Sequence, residues 1–149
     1  MVNKYLSFAK NVGIASVAGL AVGAGAAELA HLVSDNKTLT SIVSTLGEYV
    51  AAYSVFLPLH ARDNPDLYKD EQGNFKTREF VKDQLKLAGG FVLIDIAYLT
   101  GRPIITREFL ESGFSPSQAS LYADAISYPA LIALAVPVAK LTGNIRSKE

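Results

Sequence analysis

Four carboxylic acids stand inside long apolar stretches of this chain: Glu28, Glu48, Asp95 and Asp124. An ionised Asp at the centre of a membrane helix costs about 2.5–3.5 kcal/mol on insertion scales. Acids in such places pair with a partner, take up a proton or face a polar cavity. Asp95, Asp124 and Glu48 are therefore the candidate substrate- or proton-binding residues. Neighbouring hydroxyls (Thr45, Ser127, Tyr49, Tyr98) offer each of them a structural role as well. Glu28 lies near the outer end of its stretch and reads as structural.

Other chemistry is poorly supplied. Glu28 and His31 form a Glu-x-x-His pair, but di-iron bundles need two such pairs and two further Glu residues, and His60 has no Glu three residues before it. The chain has no Cys, which excludes disulfides and thiolate metal sites. The two His residues place no base beside a nucleophile, so Ser-His-Asp catalysis is not supported. The expectation is a protein that is not an enzyme and uses no cofactor and no metal.

The elements that position the acids are read from the apolar pattern. Of 149 residues, 50% are hydrophobic and 19% charged, where an average soluble domain has about 25% charged. The apolar residues predict an all-α polytopic membrane domain over 1–149, with four transmembrane helices at about 12–33, 39–61, 82–101 and 117–141. A helix crossing a bilayer core takes about 20 residues. A soluble bundle would show charges recurring on one face of each helix, and most of these stretches do not.

Basic and acidic residues number 14 each, which argues against nucleic acid as a partner. Their placement carries more than their sum. With both termini cytoplasmic, Lys4, Lys10, the six bases between Arg62 and Lys86, and Lys140, Arg146 and Lys148 all fall inside. Lys37, Arg102 and Arg107 fall outside. This positive-inside bias predicts a multi-pass protein of the cytoplasmic membrane, with the connection 62–80 on the cytoplasmic side. Within that connection, 70–74 (Asp-Glu-Gln-Gly-Asn) lacks an EF-hand's alternating ligands and reads as a solvated turn.

Ala15, Gly19, Gly23 and Ala27 recur every four residues, a small-residue stripe that predicts close helix packing. Pro129 and Pro137 predict kinks in the last helix. The two halves look duplicated. Phe8, Lys10 and Asn11 align with Phe80, Lys82 and Asp83 at an offset of 72, and Ser41, Tyr49 and Pro58 with Ser120, Tyr128 and Pro137 at 79. A 2+2 parallel repeat follows, and in repeat transporters the site lies between the halves.

Ala88-Gly89-Gly90, Asp95 within 93–96, Gly113-Phe114-Ser115-Pro116 and the following Ala119 and Ala123 resemble half of a GtrA-like protein. The first half follows that pattern in outline: Gly13 is in place, no acid falls at the position of Asp95, and His60-Ala61-Arg62 stands at the family's aromatic-plus-basic ending. The resemblance implies a small four-helix flippase-like protein moving polyprenyl-phosphate-linked sugar for cell-surface polysaccharide synthesis. Its partners would be membrane lipid and a lipid-linked sugar, and Arg102 and Arg107 would meet the phosphate at the outer surface. Two other readings stand beside it. Acids without a base at equal depth suit a small proton-coupled exporter of organic cations. The stripe of small residues suits a homo-oligomer or an accessory subunit of a larger membrane complex.

Overall fold

Five helices follow one another along the chain in the computed structural model, which describes residues 4–141. They are α1 (Lys4–Val33), α2 (Lys37–Asp63), the short α3 (Pro65–Tyr68), α4 (Thr77–Glu111) and α5 (Pro116–Leu141). Arg146 and Lys148, counted above toward topology, lie outside the described residues.

The helix ends have identifiable causes. Asn36 caps α2, its side chain accepting the amide of Leu39 at 3.1 Å. Gly113, at φ +88°, ends α4 in a left-handed turn. There the amide of Phe114 donates to the Phe109 carbonyl and that of Gly113 to Leu110, each at 3.2 Å. The Phe109 and Phe114 rings pack edge to face at 5.3 Å, which completes a Schellman stop. Two residues later a capping box opens α5. The Gln118 amide donates to the Ser115 hydroxyl, the Ser115 amide donates to the Gln118 side chain, and Pro116 takes the first helical position. Glu28 accepts the Ser117 amide at 2.9 Å, so this carboxylate from α1 sits at the positive end of α5.

α4 departs most from the sequence reading. It runs well beyond 82–101 at both ends, and Arg102 and Arg107 are helical residues rather than part of a loop. A straight helix of 35 residues would be about 52 Å long, more than the ~30 Å hydrocarbon core. The helix instead bends by 60° between Thr77–Gly90 and Ile94–Glu111. Gly89 and Gly90 precede the bend, and paired glycines are a recognised cause of kinks.

The long helices form a ring. α1 packs on α2 and α5, and α4 packs on α2 and α5, so α1 and α4 occupy opposite corners. Neighbours run antiparallel: Phe8 meets Phe56 while Gly23 meets Glu48, and Tyr98 meets Tyr128 while Arg102 meets Asp124. One end of the ring holds the start of α1, the end of α2, α3 and the start of α4. Asp63 ties that end together, accepting Ser7, Lys10 and Asn11 at 2.7, 2.9 and 3.1 Å. Phe8, Phe56, His60, Tyr68 and Phe80 pack ring to ring beside it. In the connection, the Asp70 carboxylate accepts the side chain and amide of Asn74 and the amide of Gln72. The Asn74 side chain foremost holds the Asp70 carboxyl below the usual carboxylate range. Its oxygens thus close the turn around Gly73.

The burial pattern is inverted relative to a soluble bundle. Ser41, Ser44, Thr45, Glu48 and Asp124 are buried, while Val17, Leu29, Leu46, Val50 and Ile126 face outward. Among the described residues, Leu6–Val33 and Lys37–Asp63 are each long and apolar enough to cross a membrane. The two limbs of α4 make a third such span when taken together. An apolar exterior around a polar interior is stable where the surroundings are lipid.

The small-residue stripe lies on the α1–α2 contact. A Cβ on Gly19 would stand 3.1 Å from Glu48 and 3.2 Å from Ala52, and one on Gly23 would stand 3.0 Å from Glu48. Gly25 faces open space. Gly23→Leu is therefore expected to lower stability in nonionic micelles by about 1–3 kcal/mol through overpacking, while Gly25→Leu lowers it not at all; the midpoint of SDS-induced unfolding measures both.

Candidate functional site

α2 presents Ser41, Ser44, Thr45 and Glu48 on one face, at the spacing i, i+3, i+4, i+7. α4 does the same with Tyr98, Arg102 and Thr106, one turn apart. α5 contributes Ser120, Asp124 and Tyr128 at the same spacing. Because α2, α4 and α5 turn these faces inward, the polar side chains meet in the ring's interior.

Arg102 is at the centre, 1% exposed. Its guanidinium engages Asp124 with two nitrogens, Nε to Oδ1 at 2.5 Å and Nη2 to Oδ2 at 3.0 Å. Nη2 also lies 2.5 Å from Oε2 of Glu48 and donates to Ser120 at 2.8 Å. Nη1 donates to Thr45 at 2.8 Å and to Ser44 at 3.2 Å. The planar fork of donors fits this bidentate carboxylate and its hydroxyl neighbours in a way an ammonium does not. Ser44 donates to the Gly23 carbonyl at 3.0 Å and shares a bond with Ser120 at 3.1 Å, which ties α1, α2 and α5 to the cluster. The other oxygen of Glu48, Oε1, accepts the hydroxyls of Tyr98 and Tyr128.

Glu48, Tyr98 and Tyr128 are also walls of a cavity of about 100 Å³, room for several water molecules. α1 contributes Phe8, Val12, Ala15 and Ser16 to it; α2 adds Tyr49, Ala52, Tyr53 and Phe56; α4 adds Leu87 and Asp95. The Tyr53 hydroxyl donates to Asp95 at 3.4 Å. The bend in α4 lies between Leu87 and Asp95, so the two limbs bring different walls to one space.

The sequence-derived candidates separate into distinct places. Glu48 and Asp124 join the Arg102 cluster, and Asp95 stands apart on the cavity wall. Arg102 is not a surface phosphate contact. It faces inward because the helix continues past residue 101 and the buried carboxylates hold it. The expectation that the acids have no base at their depth is corrected by the same observation. Arg107 is exposed and pairs with Glu111 at 2.7 Å. Ala15, Gly19, Gly23 and Ala27 are buried at helix contacts. Glu28 serves the start of α5 and His31 is exposed. Among the described residues no group of three or more His, Asp or Glu side chains is placed to hold a metal ion.

Ser44, Ser120, Tyr53 and Tyr128 were not singled out as site residues. Their signal was the polar face itself: hydroxyls and acids recurring with helical period on an otherwise apolar helix. Compared with protein-family models, curated proteins and solved structures, the chain matches none of them.

Removing Arg102 would leave Glu48 and Asp124 as uncompensated buried anions. Arg102→Leu is expected to cost about 3–5 kcal/mol of stability, as loss of one partner of a buried ion pair does. Arg102→Lys also loses stability, because a single ammonium cannot replace the fork. Combining Arg102→Leu with Asp124→Leu restores part of the loss. Unfolding midpoints of the three variants in nonionic micelles test this.

Proposed function

We propose that the protein is a four-span integral membrane carrier, with the cavity between its helices as the substrate site. The carrying observation is the cavity itself. It draws walls from α1, α2, α4 and α5, it contains the carboxylates of Glu48 and Asp95, and it is surrounded by helices of membrane length. α5, with 26 residues, has the length of the fourth span. The ring order supports the 2+2 repeat, since α1 corresponds to α4 and α2 to α5 across the molecule. The charge distribution supports cytoplasmic termini and a location in the cytoplasmic membrane. Carriers commonly place substrate where polar groups and discontinuous helices meet within the bilayer, and the bent α4 is such a helix.

A flippase for polyprenyl-phosphate-linked sugar, as the GtrA-like resemblance implies, is the second reading. The resemblance favours it, with Asp95 following Gly89-Gly90. The site electrostatics weigh against it: Arg102 is committed to two carboxylates, and Arg107 is paired with Glu111. The reading as an accessory subunit or homo-oligomer loses its main support, because the small-residue stripe packs against α2 within the chain.

Two measurements test the proposal. Single cysteines at Lys37 and Glu111 are expected to react with an impermeant maleimide on intact cells, and one at Gln72 only after permeabilisation; labelling of all three from one side rejects the topology. Ser16→Phe fills the cavity wall. Mass spectrometry of small molecules that co-purify with the wild type is expected to reveal a species that folded Ser16→Phe protein lacks. An unchanged set of molecules would refute the cavity as substrate site.

A further inference from the structure

We propose that the cavity takes a small organic cation with an apolar body, of the tertiary or quaternary ammonium class. The proposal rests on the reading of the cavity as a ligand site and names what that site selects.

The charges around the cavity do not balance. Arg102 supplies one positive charge to Glu48 and Asp124, so that cluster carries a formal charge of minus one when all three are ionised. Asp95, when ionised, adds another negative charge on the wall. Among the described residues Asp95 has no cationic partner; its polar neighbours are the hydroxyls of Tyr49 and Tyr53, the latter at 3.4 Å. A cation in the cavity would supply the missing charge in surroundings where water competes little.

The walls have the matching chemistry. Phe8, Tyr49, Tyr53, Phe56, Tyr98 and Tyr128 surround the space. Tyr49 and Tyr53 form a tilted pair with centroids 4.7 Å apart, and Tyr98 and Tyr128 another at 6.4 Å. Aromatic rings attract a cation to their faces, and quaternary ammonium groups are recognised in this way. The hydroxyl protons of Tyr98 and Tyr128 are given to Glu48, and that of Tyr53 to Asp95, which leaves oxygen lone pairs rather than donors. No Lys, Arg, His, Asn, Gln or Trp lines the cavity among the described residues. An anionic headgroup would therefore meet carboxylates, aromatic side chains and a few hydroxyls without a single side-chain N–H donor.

The test uses the full-length wild-type protein in nonionic micelles and isothermal titration with three small probes. Choline is the cation, 3,3-dimethylbutan-1-ol its uncharged isostere, and monoethyl phosphate the anion. Choline is expected to bind about tenfold or more tighter than its isostere. Asp95→Asn is expected to remove most of that difference while leaving the isostere's affinity unchanged. Equal affinity of choline and its isostere in the wild type overturns the cation inference and leaves the cavity as a site for neutral ligands. Tightest binding of monoethyl phosphate overturns it in favour of a phosphate-bearing cargo. No binding of any probe also overturns it, and the Ser16→Phe comparison then decides the carrier reading separately. The wild-type comparison needs no variant, so a failure of Asp95→Asn to fold does not protect the proposal.

Discussion

A guanidinium held by two carboxylates organises this molecule. Arg102 on α4 reaches Asp124 on α5 and Glu48 on α2, and its remaining donors meet hydroxyls on α2 and α5. In lipid, apolar side chains give little drive for helices to associate, because the hydrocarbon outside is as apolar as the side chains themselves. Polar groups that must be satisfied provide that drive instead. Each carboxylate alone would be a liability at this depth. Together with Arg102 and the hydroxyls they form one network, and removing the guanidinium leaves two buried carboxylates without a base.

The small residues of α1 make that network reachable. Gly19 and Gly23 let the α1 backbone come so close to α2 that Glu48 lies against them. Ser44 then bonds the Gly23 carbonyl, and Tyr128 reaches the Ser16 carbonyl at 3.4 Å. Below the cluster the spacing opens. Bulky aromatic side chains and the bend after Gly90 hold the helices apart around the cavity. Tight packing at one level and an open space at the next come from the same four helices, set by side-chain size along each one. Glu48 belongs to both levels, with one oxygen toward Arg102 and the other toward the tyrosines at the cavity.

Much of the fold was legible from local pattern. The apolar stretches marked the helices, while the helix stop and capping box within Gly113-Phe114-Ser115-Pro116 became evident only from the backbone bonds of the α4–α5 turn. The stripe of small residues marked a packing face. The extent of α4 was not legible. A search for apolar runs ends the helix where charged residues begin, and Arg102 was read as the start of a loop. A helix needs only backbone bonds and satisfied side chains to continue, and the partners that satisfy Arg102 are 22 and 54 residues away in the chain.

The order of residues along each helix sets the chemical class of the interior. Acids and hydroxyls recur on apolar helices, and such groups must turn inward if lipid surrounds them. It also determined which residues could pack closely, since the absence of a side chain at Gly19 and Gly23 is a local property. Which acids share a guanidinium and which has only tyrosine hydroxyls was decided by tertiary structure. Glu48, Asp95 and Asp124 look equivalent along the chain. The ring places two of them on one guanidinium and leaves Asp95 facing an aromatic cavity. Distance between charges in three dimensions sets their interaction, and helix order and rotation, not chain position, set that distance.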